Sequence, residues 1–309
     1  PCPLSRSFAD RCGLLIGQHM FPELIDTRPL RRAVDDGLGW VVTYWGSAFE
    51  AAARPLLLLL NAIEALLVAT PWWLIIIVLT GIAWLATRRW TLPVTVLVSL
   101  FFLGLMELWK DAMSTTALMI AATLAAIVLS IPVGVWMSRS ARVRQFFTPV
   151  LDLVQTLPSF VYLIPTVMIF GPGKIPALIA PIVYAAPPLV RLTDLGLRSV
   201  DPAVMEASRA FGTTPTQRLF GVQIPLALPT ILAGINQTTM MALAMVVIAS
   251  MIGAGGLGYQ VLQGIGRLEV SRGLFAGLGI VVLAIVFDRI TQAFGRQLQG
   301  RIGIADARP

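Results

Sequence analysis

The chain has 309 residues, 57% of them hydrophobic and only 13% charged, and its mean hydropathy of +0.81 excludes an ordinary soluble domain, whose balance is nearer half apolar and a quarter charged. A formal charge of +7 and a pI near 10.2 raise the question of nucleic acid. The basic residues lie in short loops between apolar runs, however, where they set membrane topology instead.

The only cysteines, Cys2 and Cys12, and the only histidine, His19, all precede Met20, so recurrent metal spacing is absent and no metal site is expected. "MFPEL" at Met20 reads as a natural start, which leaves residues 1–19 as upstream sequence without assigned chemistry. Residues 33–53 carry Trp40, Tyr44, Trp45 and Phe49 near one helical phase, an aromatic stripe suited to the membrane interface. The next run, 55–70, is apolar but holds Asn61 and Glu64, and reads as a partly inserted or surface helix, a full span being the alternative. Seven clearer spans follow, at 71–87, 92–109, 112–137, 149–170, 175–190, 222–252 and 273–290, most of them near the roughly 20 residues that cross a hydrocarbon core of about 30 Å.

Arginine placement orients these spans. Arg88 and Arg89, then Arg139, Arg142 and Arg144, then Arg191, Arg198, Arg209 and Arg218, and finally Arg296 and Arg301 fall on one side. The other side holds Glu107, Lys110, Asp111, Lys174, Arg267, Glu269 and Arg272. The arginine-rich side is expected to be cytoplasmic, with the N-terminus outside and the C-terminus inside. The domain plan expected from this is an N-terminal tail with an interfacial amphipathic helix (1–53), peripheral scaffold helices (54–111), a core (112–296) that carries a polar loop at 201–225, and a cytoplasmic tail (297–309).

Within that loop, "MEASRAFG" (205–212) is a charged island in an apolar chain. Asp201 is a suitable N-cap, Pro202 fits the first helical position, Val200 and Met205 stand where a hydrophobic staple closes, and Gly212 suits the left-handed residue after a helix. Thr214, Pro215 and Gln217 start a second helix through a capping box. A first helix of about ten residues rises only about 15 Å, half of a bilayer. Burying Glu206, Arg209 and Arg218 at mid-membrane would cost about 2.5 to 3.5 kcal/mol each, so the loop belongs at the surface. Val204, Ala207, Ser208 and Phe211 recur at i, i+3, i+4 and i+7, a small-residue face that a partner groove could receive. An amphipathic connector resting on lipid is the plainer reading. A DNA-reading helix-turn-helix shares the outward signs but needs a soluble domain around it, and both neighbours here are apolar spans.

Glu206-Ala207-Ser208, three residues, Gly212, nine residues, then Val222-Gln223-Ile224-Pro225 resembles the EAA loop of ABC importer permeases, with Ser208, Val222 and Ile224 as small departures from its pattern. "QTLPSFVYLIP" (155–165), "KIPALIAPIVYAAPPLVRLT" (174–193) and "GINQTTMMALAMVVIASMIGAGGLG" (234–258) are similar to the glycine betaine/proline betaine permeases, and the likeness extends over about 29–297. The resemblance implies an all-α polytopic membrane protein with a type I (MetI-like) importer transmembrane domain of about seven transmembrane helices plus an amphipathic N-terminal segment. It implies a non-catalytic permease subunit of the bacterial inner membrane that imports quaternary ammonium solutes, choline and carnitine lying within the same group. Its partners would be a second copy of the permease, two cytoplasmic ATPase subunits, an extracytoplasmic substrate-binding protein and membrane lipid, with no nucleic acid. ATP and magnesium would bind the ATPase, and this chain would hold no cofactor. Glu206, Ala207, Ser208, Arg209, Gly212 and Pro225 would couple it to that ATPase.

Two glycine-rich stretches invite other readings. "GAGGLG" (253–258) matches a dinucleotide fingerprint, but an apolar helix precedes it and no acid stands about 20 residues on, so a flexible external turn is expected. "GPGK" (171–174) lacks phosphate-loop spacing. A quaternary ammonium group is held by aromatic faces, which makes Phe160, Tyr162 and Tyr184, beside proline-broken segments, candidates for the translocation path, together with Asn236 and Gln237. Packing and interhelical hydrogen bonds are the bland alternative for each. The rival function is an ion- or proton-driven carrier. Asp152 in a first helical turn, Asp194 between Arg191 and Arg198, and Asp288 beside Arg289 all have structural explanations that weaken a proton relay.

Overall fold

The computed structural model describes residues 28–87 and 90–301, and every regular element among them is helical. The expectations for residues 1–19, for Arg88 and Arg89, and for the tail beyond Arg301 lie outside the described residues. The chain divides into two units, 1–45 and 46–309.

Helix α1 runs Arg28–Ala69. In the first unit it presents Trp40 and Tyr44, ring centroids 5.1 Å apart, as exposed neighbours one turn removed. In the second unit it carries Pro55 without ending there. A break between an interfacial stretch and the run 55–70 is therefore not found. Proline removes one backbone bond, but Leu60 is buried and Leu56 and Ile63 pack on the same core cluster, and the chain stays helical past Pro55. The window Asp35–Ala69 is long and apolar enough to cross a membrane, which favours the alternative of a full span over a surface helix for 55–70.

Helices α2 (Trp72–Thr87) and α3 (Thr91–Leu105) are apolar but have only 16 and 15 residues, rises of about 24 and 22 Å. Three long elements follow the sequence closely: α4 (Trp109–Arg139), α7 (Lys174–Arg198) and α10 (Ile224–Ser250), each within a stretch able to span, as is Val270–Ala293 of α12 (Val270–Arg301). The expected span 149–170 is instead a broken pair. Helix α5 (Ala141–Thr156) ends at Leu157, whose extended conformation is what the following Pro158 demands. The chain then bends by 111° into a 3-10 turn at Ser159–Tyr162 and helix α6 (Leu163–Phe170). The short helices α8 (Pro202–Ala210) and α9 (Pro215–Arg218) occupy the polar loop, and α11 (Leu257–Arg267) lies between α10 and α12.

The core is α7 packed between α4 and α10. Lipid tails are as apolar as leucine, so close packing and hydrogen bonds rather than water exclusion hold helices together here. Small residues permit the approach. A Cβ at Gly134 of α4 would stand 2.6 Å from Cβ of Thr193, and one at Gly234 of α10 would stand 2.9 Å from Cδ1 of Leu189, both on α7. Beside the Pro187–Pro188 pair, Thr238 of α10 donates to the Ala185 carbonyl at 2.9 Å and Ser130 of α4 to the Ala186 carbonyl at 3.3 Å. Hydroxyls on both neighbouring helices thus bond to the α7 backbone across the interface.

Candidate functional site

The polar loop is built by its own local chemistry. Asp201 accepts from the Ala203 amide at 2.8 Å, Pro202 takes the first helical position, and α8 extends for nine residues. Gly212 then adopts φ +74°, a left-handed conformation in which a Cβ would cost about 1 to 2 kcal/mol. Its amide donates to the Arg209 carbonyl at 2.9 Å. The Thr214 side chain receives the Gln217 amide at 3.3 Å, and the Gln217 side chain receives the Thr214 amide at 2.9 Å, completing the capping box. Through a five-residue π turn, Leu219–Gln223, α9 feeds into α10, whose first turn contains Pro225.

The expected docking face is only partly realised. Val204, Ala207 and Phe211 are exposed, Phe211 at 88%, and Glu206 and Arg209 stand beside them without an ion pair among the described residues. Ser208, placed on that face by helical spacing, is 8% exposed and turns toward the chain. Its hydroxyl donates to the Met205 carbonyl at 2.8 Å, and its own carbonyl accepts from the Thr213 hydroxyl at 2.7 Å. The physical reason is that Gly212 reverses the chain over this residue, so the inward side of α8 closes its own turn. The loop is tied to the core by Arg139 at the end of α4, whose guanidinium donates to the Pro215 carbonyl at 3.5 Å.

Above the loop, α7 carries two ion pairs. Arg198 grips Asp194 with two bonds, at 3.0 and 2.9 Å, while Arg191 reaches Asp152 of α5 at 2.5 Å. The expectation that both arginines serve Asp194 is corrected: Arg191 bridges to another helix. Asp288 is paired with Gln292 at 2.6 Å rather than with its neighbour Arg289.

Of the expected path residues, the structure brings Tyr162 and Tyr184 together, rings 5.9 Å apart at 65°, and the Tyr162 hydroxyl donates to the Val154 carbonyl. Phe160 on the same 3-10 turn is 62% exposed. Asn236 is half-buried with its amide oxygen unpaired, and Gln237 beside it is exposed.

At the other end of these helices lies a network that sequence reasoning missed. Lys174 binds Glu64 at 2.6 Å and approaches Asn61 at 3.4 Å, while Ser114 donates to Glu64 at 2.8 Å. Gln260 donates to Asp111 at 2.6 Å and accepts from Arg272 at 2.8 Å. A signal existed for the first group, since a glutamate and an asparagine in an apolar run require partners. The two glycine stretches meet here: the nearest atom to a Cβ on Gly253 is the Gly173 amide nitrogen, at 3.5 Å. "GAGGLG" is accordingly a turn, with Gly253, Gly255 and Gly256 at positive φ, and it packs against the other glycine stretch. Leu257 is fully buried and its amide donates to Thr115 at 2.8 Å.

Comparison with known proteins is consistent with this architecture. Glycine betaine/proline betaine transport system permease protein ProW of Escherichia coli (strain K12) is 48% identical over 273 residues, 88% of this chain and 77% of the relative. Glycine betaine/carnitine transport permease protein GbuB of Listeria monocytogenes is 45% identical over 229 residues, 74% of this chain and 81% of the relative. A structure of the MetNI methionine ABC transporter in an inward-facing conformation matches with a TM-score of 0.56 at 23% identity, over 64% of this chain and 98% of that one, a likeness of fold. Residues 126–300 match the binding-protein-dependent transport system inner membrane component. With its buried small-residue core, broken helix and capped polar loop, the chain belongs to that family of inner-membrane transport permeases.

Proposed function

We propose that the chain is the permease subunit of an ATP-driven importer of quaternary ammonium compatible solutes, glycine betaine above all. The observation that carries the substrate is that both relatives, one named for proline betaine and the other for carnitine, share glycine betaine. In this reading two permease copies meet two cytoplasmic ATPase subunits and receive solute from an extracytoplasmic binding protein. ATP and magnesium belong to the ATPase, and this chain holds no cofactor. The arginine-rich loops face the cytoplasm, with the N-terminus outside and the C-terminus inside as the working orientation. The helical core of 112–296 is the permease proper, with 54–111 as its scaffold.

Energy enters through the loop. Glu206, Ala207 and Arg209 are outward on α8, and a nine-residue helix fixed at both ends by caps transmits a push without bending. Ser208 and Gly212 hold its shape, and Pro225 opens α10, the helix that receives the motion. Phe160, Tyr162, Tyr184, Asn236 and Gln237 are the proposed contacts of the moving solute. The unpaired Asn236 oxygen supports that role best, because a buried acceptor without a donor invites a ligand or water.

Reconstitution in liposomes tests the reading. The chain alone should take up no radiolabelled glycine betaine under a proton or sodium gradient, and uptake should begin only when ATPase, ATP and binding protein are supplied. Accumulation driven by an ion gradient alone would establish the rival carrier instead.

A further inference from the structure

A crevice beside α2 has no part in the loop or the solute path. It measures about 280 Å³ and is lined by Leu67 of α1, Val78 of α2, Leu100 of α3, Met113 and Thr116 of α4, and Leu283 of α12. Its floor is closed, with Leu100, Met113 and Leu283 at most 1% exposed. Its rim is open, with Leu74 and Val78 at 38% and 48%. A second groove, of about 320 Å³, runs between Trp72, Phe101 and Trp109 and shares Leu100 with the first. Helix α2 thus has an apolar channel on each side.

The lining decides what can lie there. Thr115, Thr239 and Thr291 each return their hydroxyl to the carbonyl four residues back, whereas the buried Thr116 hydroxyl has no partner. One free hydroxyl in a hydrocarbon wall cannot compensate a charged or zwitterionic solute for lost water, which costs several kcal/mol or more. The occupant is therefore a hydrocarbon.

Depth points the same way. Trp72 and Trp73 stand exposed at one end of α2, and Trp84 and Trp90 at the other, the latter two 6.3 Å apart. Exposed tryptophans at both ends are interface anchors, which sets the crevice between them at the level of acyl chains. Because α2 and α3 are shorter than a bilayer is thick, lipid must adapt around them. Lys110, following Trp109, is exposed, a cation at this end of the helices that suits a phosphate.

We propose that the channels on either side of α2 hold the two acyl chains of one bilayer phospholipid, its head group at the Trp72, Trp109 and Lys110 end. The proposal rests on the reading of the chain as membrane-spanning and is independent of the imported solute. Phospholipid bound per chain is counted by native mass spectrometry on the full-length protein in its assembly after extensive detergent washing. Val78→Trp and Leu74→Trp, both at the exposed rim, should each retain one phospholipid fewer than wild type, and Thr116→Val should retain the wild-type number. Melting temperatures measured alongside identify any variant that has lost its fold, and the second rim position then stands in for it. Equal retention in wild type and in both filled variants overturns the site. So does a photo-crosslinker at position 78 that captures residues 1–27 or a second copy instead of lipid.

Discussion

The two polar ends of the helical core are made in different ways. The loop carrying α8 and α9 closes mainly through contacts within a few residues, Asp201 to Ala203, Ser208 to Thr213 and Thr214 to Gln217, with one long-range tie from Arg139 to the Pro215 carbonyl. The opposite end closes across the whole chain, Thr115 to Leu257 and Asp111 to Gln260, separations of 142 and 149 residues. A locally closed loop can shift as a unit without loosening the core, whereas a corner stitched to three helices cannot. On the proposed function the first is the part that moves or docks and the second the part that holds.

Substitution of a glycine at each end breaks this comparison most sharply. A Cβ at Gly258 would fall 2.1 Å from the Ser250 hydroxyl and 2.3 Å from the Val247 carbonyl, so Gly258→Val should lose the fold, with yield of detergent-stable protein collapsing and several kcal/mol of stability gone. At Gly212 no atom lies within 4 Å of an added Cβ, and only the φ of +74° resists. Gly212→Val should therefore fold, lose about 1 to 2 kcal/mol locally, and still fail in ATP-driven uptake. A melting curve and a transport assay on the same preparation separate the two. Wild-type uptake by Gly212→Val would leave the loop without its coupling role. Glu206→Lys extends the test: it should leave melting unchanged and weaken co-purification of the ATPase.

A smaller effect is expected from the Glu64 and Lys174 pair. Both groups are partly exposed, at 22% and 39%, so the pair alone is worth no more than about 1 kcal/mol. Lys174→Met should lower the melting temperature by a few degrees at most, and a double-mutant cycle with Glu64→Gln should recover coupling between them. Additivity within error would mean that the contact is ornamental and that the far end is held by its glycine packing and by the Thr115–Leu257 and Asp111–Gln260 bonds.

These contrasts also explain what could be read in advance. The caps at Asp201, Pro202, Gly212 and Thr214 were legible because each is settled by neighbours within three residues or so, and the structure has all of them. Ser208 was misjudged because helical spacing knows nothing of the reversal at Gly212 that draws its carbonyl to Thr213. Pro158 announced a break in 149–170, but the angle of 111° depends on where α6 packs. The interfacial stretch 33–53 and the run 55–70 proved to be one helix, since the leucines after Pro55 are held by a core built from distant helices. Of the path residues, chemistry named the types, yet no local pattern could foresee the ring contact of Tyr162 with Tyr184 or pair Arg191 with Asp152 across two helices.

The finest distinction between the two ends lies in the capping box. Thr214→Ala removes the side-chain acceptor for the Gln217 amide and one partner of the Gln217 side chain, and leaves the long-range corner at Leu257 untouched. N-cap removal costs about 1 kcal/mol, and α9 is a single turn continuous with α10, so the loss should stay at the start of that turn. Hydrogen exchange should speed about fivefold at the Gln217 amide, an opening free-energy change of about 1 kcal/mol, while the Leu257 amide keeps its protection. Faster exchange at Leu257 as well would show that the ends are mechanically coupled through α10, and the division between a moving loop and a holding corner would have to be given up.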